Sequence, residues 1–99
     1  MSPITLHMIR SVRNRGLRLF TEKGDASRLS VQNHDRLRRI IAALEAAKKP
    51  GDLNIPGFDF HRLKGTQKER YSVSASGNWR VTFAWSGEDA IEIDLEDYH

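Results

Sequence analysis

Residues Tyr71 to Leu95 read YSVSASGNWRVTFAWSGEDAIEIDL, and this stretch decides the fold. Tyr71, Val73 and Ala75 alternate with Ser72, Ser74 and Ser76, the two-residue period of a half-buried strand. Gly77-Asn78 then supplies a tight turn. Trp79, Val81, Phe83 and Trp85 share one face of the next strand, leaving Arg80, Thr82, Ala84 and Ser86 on the other. Ser86-Gly87-Glu88 turns the chain again, after which Ile91, Ile93 and Leu95 oppose Glu92, Asp94 and Glu96. Links this short require antiparallel neighbours. Phe58 to Lys64 reads as a further strand ahead of these three. If the tryptophan face packs inward, Arg80 and Thr82 lie on an open face of the sheet.

Working outward, the first half of the chain changes period. Leu37, Ile40, Ile41 and Leu44 recur at helical spacing, predicting a helix from Val31 to about Lys49. Ser30 is a candidate N-cap, because its hydroxyl can accept from a free N–H of the first turn. Lys48 and Lys49 suit the negative end of the helix dipole, and Pro50-Gly51 stops it. Asn14 to Glu22 forms a shorter helical pattern ended by Gly24. Met8-Ile9-Arg10-Ser11-Val12 alternates as a short first strand. The expected class is α+β: one strand, then two helices packed on a mainly antiparallel sheet of four to five strands.

Ninety-nine residues form one domain with a single modest core, so residues 1–99 are read as one unit. With 38% hydrophobic and 29% charged residues the chain is globular rather than disordered. The sequence lacks cysteine, which removes disulfides, thiolate nucleophiles and cysteine-held metals, and fits a reducing cytoplasm. Neither a membrane-spanning apolar run nor a signal-peptide core is present. The histidines show no metal-binding spacing, and no cofactor is implied.

The net charge of +3 conceals a polarity. Arg10, Arg13, Arg15, Arg18, Lys23, Arg28, Arg36, Arg38 and Arg39 crowd the first forty residues, whereas the last twelve carry six acids and no Arg or Lys. Such a basic half attracts a polyanion, and arginine forks suit phosphate. Arg10, Arg13, Arg15, Arg18, Arg36 and Arg39, with Lys68 and Arg70 farther on, are the candidate RNA contacts. A solvated helix face neutralised by the acidic end is the alternative.

Three polar clusters flank or lie on the sheet strands: His61-Arg62-Leu63-Lys64-Gly65, Arg80, and Asp97-Tyr98-His99. Cleaving RNA through its own 2′-OH without a metal requires a base for that proton and an acid for the leaving 5′-oxygen. It also requires cations over the phosphate. Imidazole titrates near neutrality and serves the proton steps, while Arg and Lys serve the phosphate. His61, Lys64, Arg80, Asp97, Tyr98 and His99 meet that requirement. Each also has an ordinary structural alternative: a packing histidine, a surface ion pair, a core-edge aromatic or a fraying end.

At these residues the chain resembles a known family. His61-Arg62-Leu63-Lys64-Gly65, Tyr71-Ser72-Val73, Asn78-Trp79-Arg80-Val81-Thr82-Phe83 and Glu96-Asp97-Tyr98-His99 are similar to the HigB branch of the RelE superfamily of toxins. Met8-Ile9-Arg10-Ser11 resembles the usual start of these proteins, so the likeness covers about residues 8 to 99 and marks residues 1–7 as an N-terminal extension. Arg62 stands where relatives often have proline. The resemblance implies a RelE-like microbial RNase fold and a toxin of a type II toxin–antitoxin pair. Such a toxin cleaves mRNA in the ribosomal A site. It further implies a HigA-like helix-turn-helix antitoxin, the 70S ribosome and mRNA as partners, with operator DNA bound only by the toxin–antitoxin complex. Catalytic roles then fall on His61, Lys64, Arg80, Asp97, Tyr98 and His99. A non-catalytic module that binds nucleic acid or the antitoxin is the competing expectation.

Overall fold

The computed structural model describes residues 12–29, 31–65 and 69–97. Among them the chain forms helices α1 (Arg15–Lys23) and α2 (His34–Ala46), a short 3-10 turn (Pro50–Leu53) and four strands. The strands are β1 (His61–Leu63), β2 (Arg70–Ser76), β3 (Trp79–Ser86) and β4 (Asp89–Asp97), and every neighbouring pair is antiparallel in the order β1-β2-β3-β4. This is the expected α+β meander. Of the expected first strand, only Val12 lies within the described residues; it bridges Ile93 in parallel on the outer side of β4.

The helix boundaries follow from local chemistry. Asn14 caps α1 by accepting from the Leu17 N–H at 2.9 Å, and Gly24 (φ 70°) ends it in the left-handed region that glycine enters without strain. Helix α2 starts at His34 rather than Val31, because the Asn33 carboxamide accepts from the Arg36 N–H at 3.1 Å and Val31 is already buried ahead of it. The expected cap, Ser30, lies outside the described residues. The helix stops at Ala46 rather than Lys49. Lys49 precedes proline and is pushed to extended backbone (φ −150°, ψ 157°), and the Asp52 carboxylate takes up the Lys48 N–H.

Strand β1 is also shorter than expected. Phe58 does meet β2, its carbonyl accepting from the Ser74 N–H at 2.7 Å, but Asp59 adopts φ 52° and interrupts the extended run. Only His61, Arg62 and Leu63 pair, with Ser72, Tyr71 and Arg70.

The core lies between the helices and one sheet face. Leu17, Phe20, Leu37, Ile40 and Leu44 from the helices meet Val73, Val81, Phe83, Ile93 and Leu95 from the sheet. Trp79 and Trp85 pack at its margin, and Phe60, just ahead of β1, stacks on Tyr71 of β2, which stacks in turn on Phe83 of β3. The opposite face departs from the expectation of an open surface. Ser72, Thr82 and Ala84 are wholly buried there. Arg70 extends from β2, donating to Thr82 Oγ1 and to the Glu92 carbonyl, each at 2.9 Å. Buried hydroxyls on that face are thus satisfied by charged side chains, which strand alternation alone did not reveal.

Candidate active site

Arg80 emerges from the start of β3, where β2 and β4 end. On β2 Arg80 pairs with Ser74 and reaches diagonally to Ser72 on the same face, and Ser72 in turn pairs with His61. Strand register therefore aligns Arg80, Ser72 and His61 on one side of the sheet. The turn before β1 supplies the fourth member. Gly57 (φ 91°) and Asp59 (φ 52°) swing the chain so that both oxygen functions of Asp59 face the guanidinium. Aspartate is among the few non-glycine residues that enter the left-handed region.

The Arg80 guanidinium is extensively bonded. Nε donates to Ser72 Oγ at 2.9 Å, Nη1 to Asp59 Oδ2 at 3.2 Å and Nη2 to the Asp59 carbonyl at 2.6 Å. Arginine has five N–H donors, so two remain for an incoming phosphate. The side chain is 17% exposed, enough for contact and too little for free rotation. His61 is 60% exposed, with Nδ1 3.0 Å from the Asp59 carbonyl and 3.4 Å from Arg80 Nη2. A carbonyl only accepts, so the shorter of the two contacts favours a proton on Nδ1 in the neutral ring and leaves the Nε2 lone pair free; Arg80 Nη2, itself a donor, then lies beside Nδ1 without bonding it.

His61 and Arg80, assigned from sequence, are thus brought together. Lys64 follows β1 and is exposed at its exit. Asp97 ends β4 opposite Trp79, so parity places it at the same end of the sheet but on the helix-side face. There it lines a polar cleft of about 330 Å³ with Gln32, Ser76, Gly77, Asn78 and Trp79. Tyr98 and His99 lie outside the described residues. Sequence reading missed Asp59 and Ser72. The available signal was spacing: Asp59 shares the parity of His61, two residues on, and Ser72 lies in the hydroxyl row of β2.

The candidate RNA contacts divide by environment. Arg15, Arg18 and Arg39 are exposed on the helices. Arg13 is exposed and pairs with Glu92 at 2.8 Å. Arg36 instead ties two segments together, donating to the Ser74 carbonyl at 2.9 Å and to the Gly57 carbonyl while lying 5.6 Å from the Phe58 ring centre. Arg70 is 9% exposed and engaged inside the sheet, so it is not presented to a ligand. Arg10 and Lys68 lie outside the described residues. Among the described residues no cluster of three His, Cys, Asp or Glu is placed to hold a metal ion, and no helix is long and apolar enough to cross a membrane.

Comparison with known proteins agrees with the geometry. A family model described as the RelE-like toxin of type II toxin–antitoxin system HigB matches residues 10–99. The chain is also similar to Endoribonuclease HigB of Proteus vulgaris, at 37% identity over 92 residues, covering 93% of this chain and 100% of that protein. With the meander, its two helices and the Arg80–His61 pair in place, this chain belongs to the HigB-like family of RelE-like toxins of type II toxin–antitoxin systems.

Proposed function

We propose that the protein is a cytoplasmic endoribonuclease that cuts mRNA in the ribosomal A site without a metal cofactor. Membership of a toxin–antitoxin family implies an antitoxin partner. In this reading that partner is a HigA-like helix-turn-helix protein, and operator DNA is bound only by the pair. The observation that carries the catalytic reading is the exposed His61 ring held against a braced arginine with N–H donors to spare.

The reaction divides among named groups. The 2′-oxygen attacks the adjacent phosphorus as its proton passes to a base, and the P–O5′ bond breaks as the 5′-oxygen gains a proton. A 2′,3′-cyclic phosphate and a free 5′-hydroxyl remain. Arg80 and Lys64 neutralise charge building on the phosphoryl oxygens. The terminal groups Asp97 and His99 act at the 2′-OH. His61 or Tyr98 serves the leaving oxygen or orients the base. Exposed Arg15, Arg18 and Arg39 contact ribosomal RNA.

The test is cleavage of an end-labelled mRNA in a reconstituted bacterial translation system. Wild type, His99→Ala, Arg80→Ala and a ribosome-free control are compared. The expected outcome is ribosome-dependent cutting in codon register, lost in His99→Ala and reduced about 100- to 1000-fold in Arg80→Ala at unchanged ribosome affinity. Intact mRNA beside a folded, ribosome-bound wild-type protein would refute the enzyme reading and leave a binding module.

A further inference from the structure

Asp59 makes every contact expected of a group that sets the active geometry, yet it offers no proton chemistry of its own to the scheme above. Its carbonyl accepts from both Arg80 Nη2 (2.6 Å) and His61 Nδ1 (3.0 Å). Its carboxylate accepts from Arg80 Nη1 (3.2 Å) through Oδ2 and stands 3.5 Å from His61 Nδ1 through Oδ1. One residue thus holds the cation and the imidazole through two chemically distinct functions. The carbonyl reaches both partners only because Asp59 sits at φ 52°. Left-handed backbone costs a non-glycine residue stability, and it persists where the surroundings over-determine it. Two bonds from Arg80 and one from His61 to this single residue are that over-determination.

We infer that Asp59 is a positioning residue: it fixes the His61 tautomer, with Nε2 free for proton transfer, and presents the two uncommitted N–H groups of Arg80 to the scissile phosphate. The substrate touches Arg80 and His61; Asp59 acts through them. The carbonyl and the carboxylate have separable parts. The carbonyl sets the tautomer and one edge of the guanidinium. The carboxylate sets the other edge and keeps a negative charge beside the Arg80 guanidinium.

Three variants separate those parts. Asp59→Gly keeps the left-handed backbone and hence the carbonyl, while removing the carboxylate. Asp59→Asn keeps an acceptor oxygen and the tolerance of positive φ. Asp59→Val disfavours positive φ through its branched Cβ and displaces the carbonyl itself. Asp59 lies in an exposed turn, so these changes leave the core intact.

Two measurements test the inference. The first is the 15N NMR signature of the neutral His61 ring in the free protein, which needs no RNA. The Nδ1–H form is expected to dominate in wild type, Asp59→Gly and Asp59→Asn, and to give way to the Nε2–H form in Asp59→Val. An unchanged ring signature in Asp59→Val would overturn the tautomer role. The second is single-turnover cleavage on saturating ribosomes, and it rests on the endoribonuclease reading. Asp59→Gly is expected to lose about tenfold in rate and Asp59→Val about 100-fold, with Asp59→Asn between wild type and Asp59→Gly. Ribosome affinity is expected to stay within about twofold throughout. Wild-type rates in Asp59→Val, or losses confined to affinity, would overturn the positioning role. If the wild-type protein leaves RNA intact, the proposed activity fails, and the ring signature alone decides whether Asp59 sets His61.

Discussion

Replacing Arg36 with methionine tests whether this side chain is a structural tie rather than a contact for RNA. Methionine keeps the unbranched stem and removes the guanidinium. The part-buried bond from Nε to the Ser74 carbonyl is then lost, and that carbonyl is left without its charged donor. A hydrogen bond from an ionised donor contributes about 1.5 kcal/mol at the low end of its range. The more exposed bond to Gly57 and the guanidinium lying over Phe58 add about 0.5 kcal/mol each. The expected loss is about 2.5 kcal/mol, which in a domain of this size lowers Tm by about 10–20 °C. Urea unfolding followed by tryptophan fluorescence reads it, since Trp79 and Trp85 both lie on β3 at the edge of the core. The variant is also expected to leave the salt dependence of ribosome binding unchanged. A loss below about 0.5 kcal/mol, together with a shallower salt slope, would refute the tie and return Arg36 to the RNA-contacting set.

Gly16→Ala should be destabilising by about 1–3 kcal/mol in the same assay, because a Cβ there would stand 2.5 Å from the Arg28 carbonyl oxygen; a neutral result would show that the 28–29 segment yields freely. Substituting Arg15, Arg18 and Arg39 together with glutamine should flatten the plot of log affinity against log salt by about two units if each neutralises one phosphate; an unchanged slope would move the RNA-binding face elsewhere. Burial raises the Glu45 carboxyl above its ordinary 4.5, so the folded state holds that proton longer than the unfolded chain does. Stability from this group therefore falls as pH rises through the window just above 4.5. Glu45→Gln should raise Tm at pH 7, with the difference disappearing below pH 4.5; a lower Tm at pH 7 would contradict the sign.

What could be read from sequence was whatever local periodicity encodes. The alternation in Tyr71 to Leu95 and its two glycine turns specified three strands and their antiparallel pairing. The spacing of Leu37, Ile40, Ile41 and Leu44 located α2 and its buried stripe. Boundaries were less legible because competing local chemistry sets them: Asn33 caps α2, and Pro50 constrains Lys49. Parity put Arg80 on the sheet face opposite the core, and the pairing of β1 with β2 is what brings His61 to it. Parity did not find Asp59, whose role depends on a left-handed backbone angle unmarked by any glycine. Nor did it separate Arg36 and Arg70 from the exposed arginines. Their bonds run to residues distant in sequence, and a long side chain's destination leaves no trace in local pattern.

The bridge between Val12 and Ile93 carries a consequence for biosynthesis. The backbone N–H of Arg13 also donates to the Ile93 carbonyl, so the beginning of the described chain is held by its last strand. Strand β4 further supplies Ala90, Ile93 and Leu95 to the interior. A nascent chain emerging from the ribosome lacks all of these until β4 clears the exit tunnel, and non-local pairings of this kind form only after the connecting chain exists. Folding is therefore expected to complete only once β4 has been made and has left the tunnel, because a nascent chain without it holds an incomplete core. Stalled chains ending before Asp89 should be digested readily by protease, whereas released chains that include β4 resist; equal resistance would show that the shorter chain folds without β4.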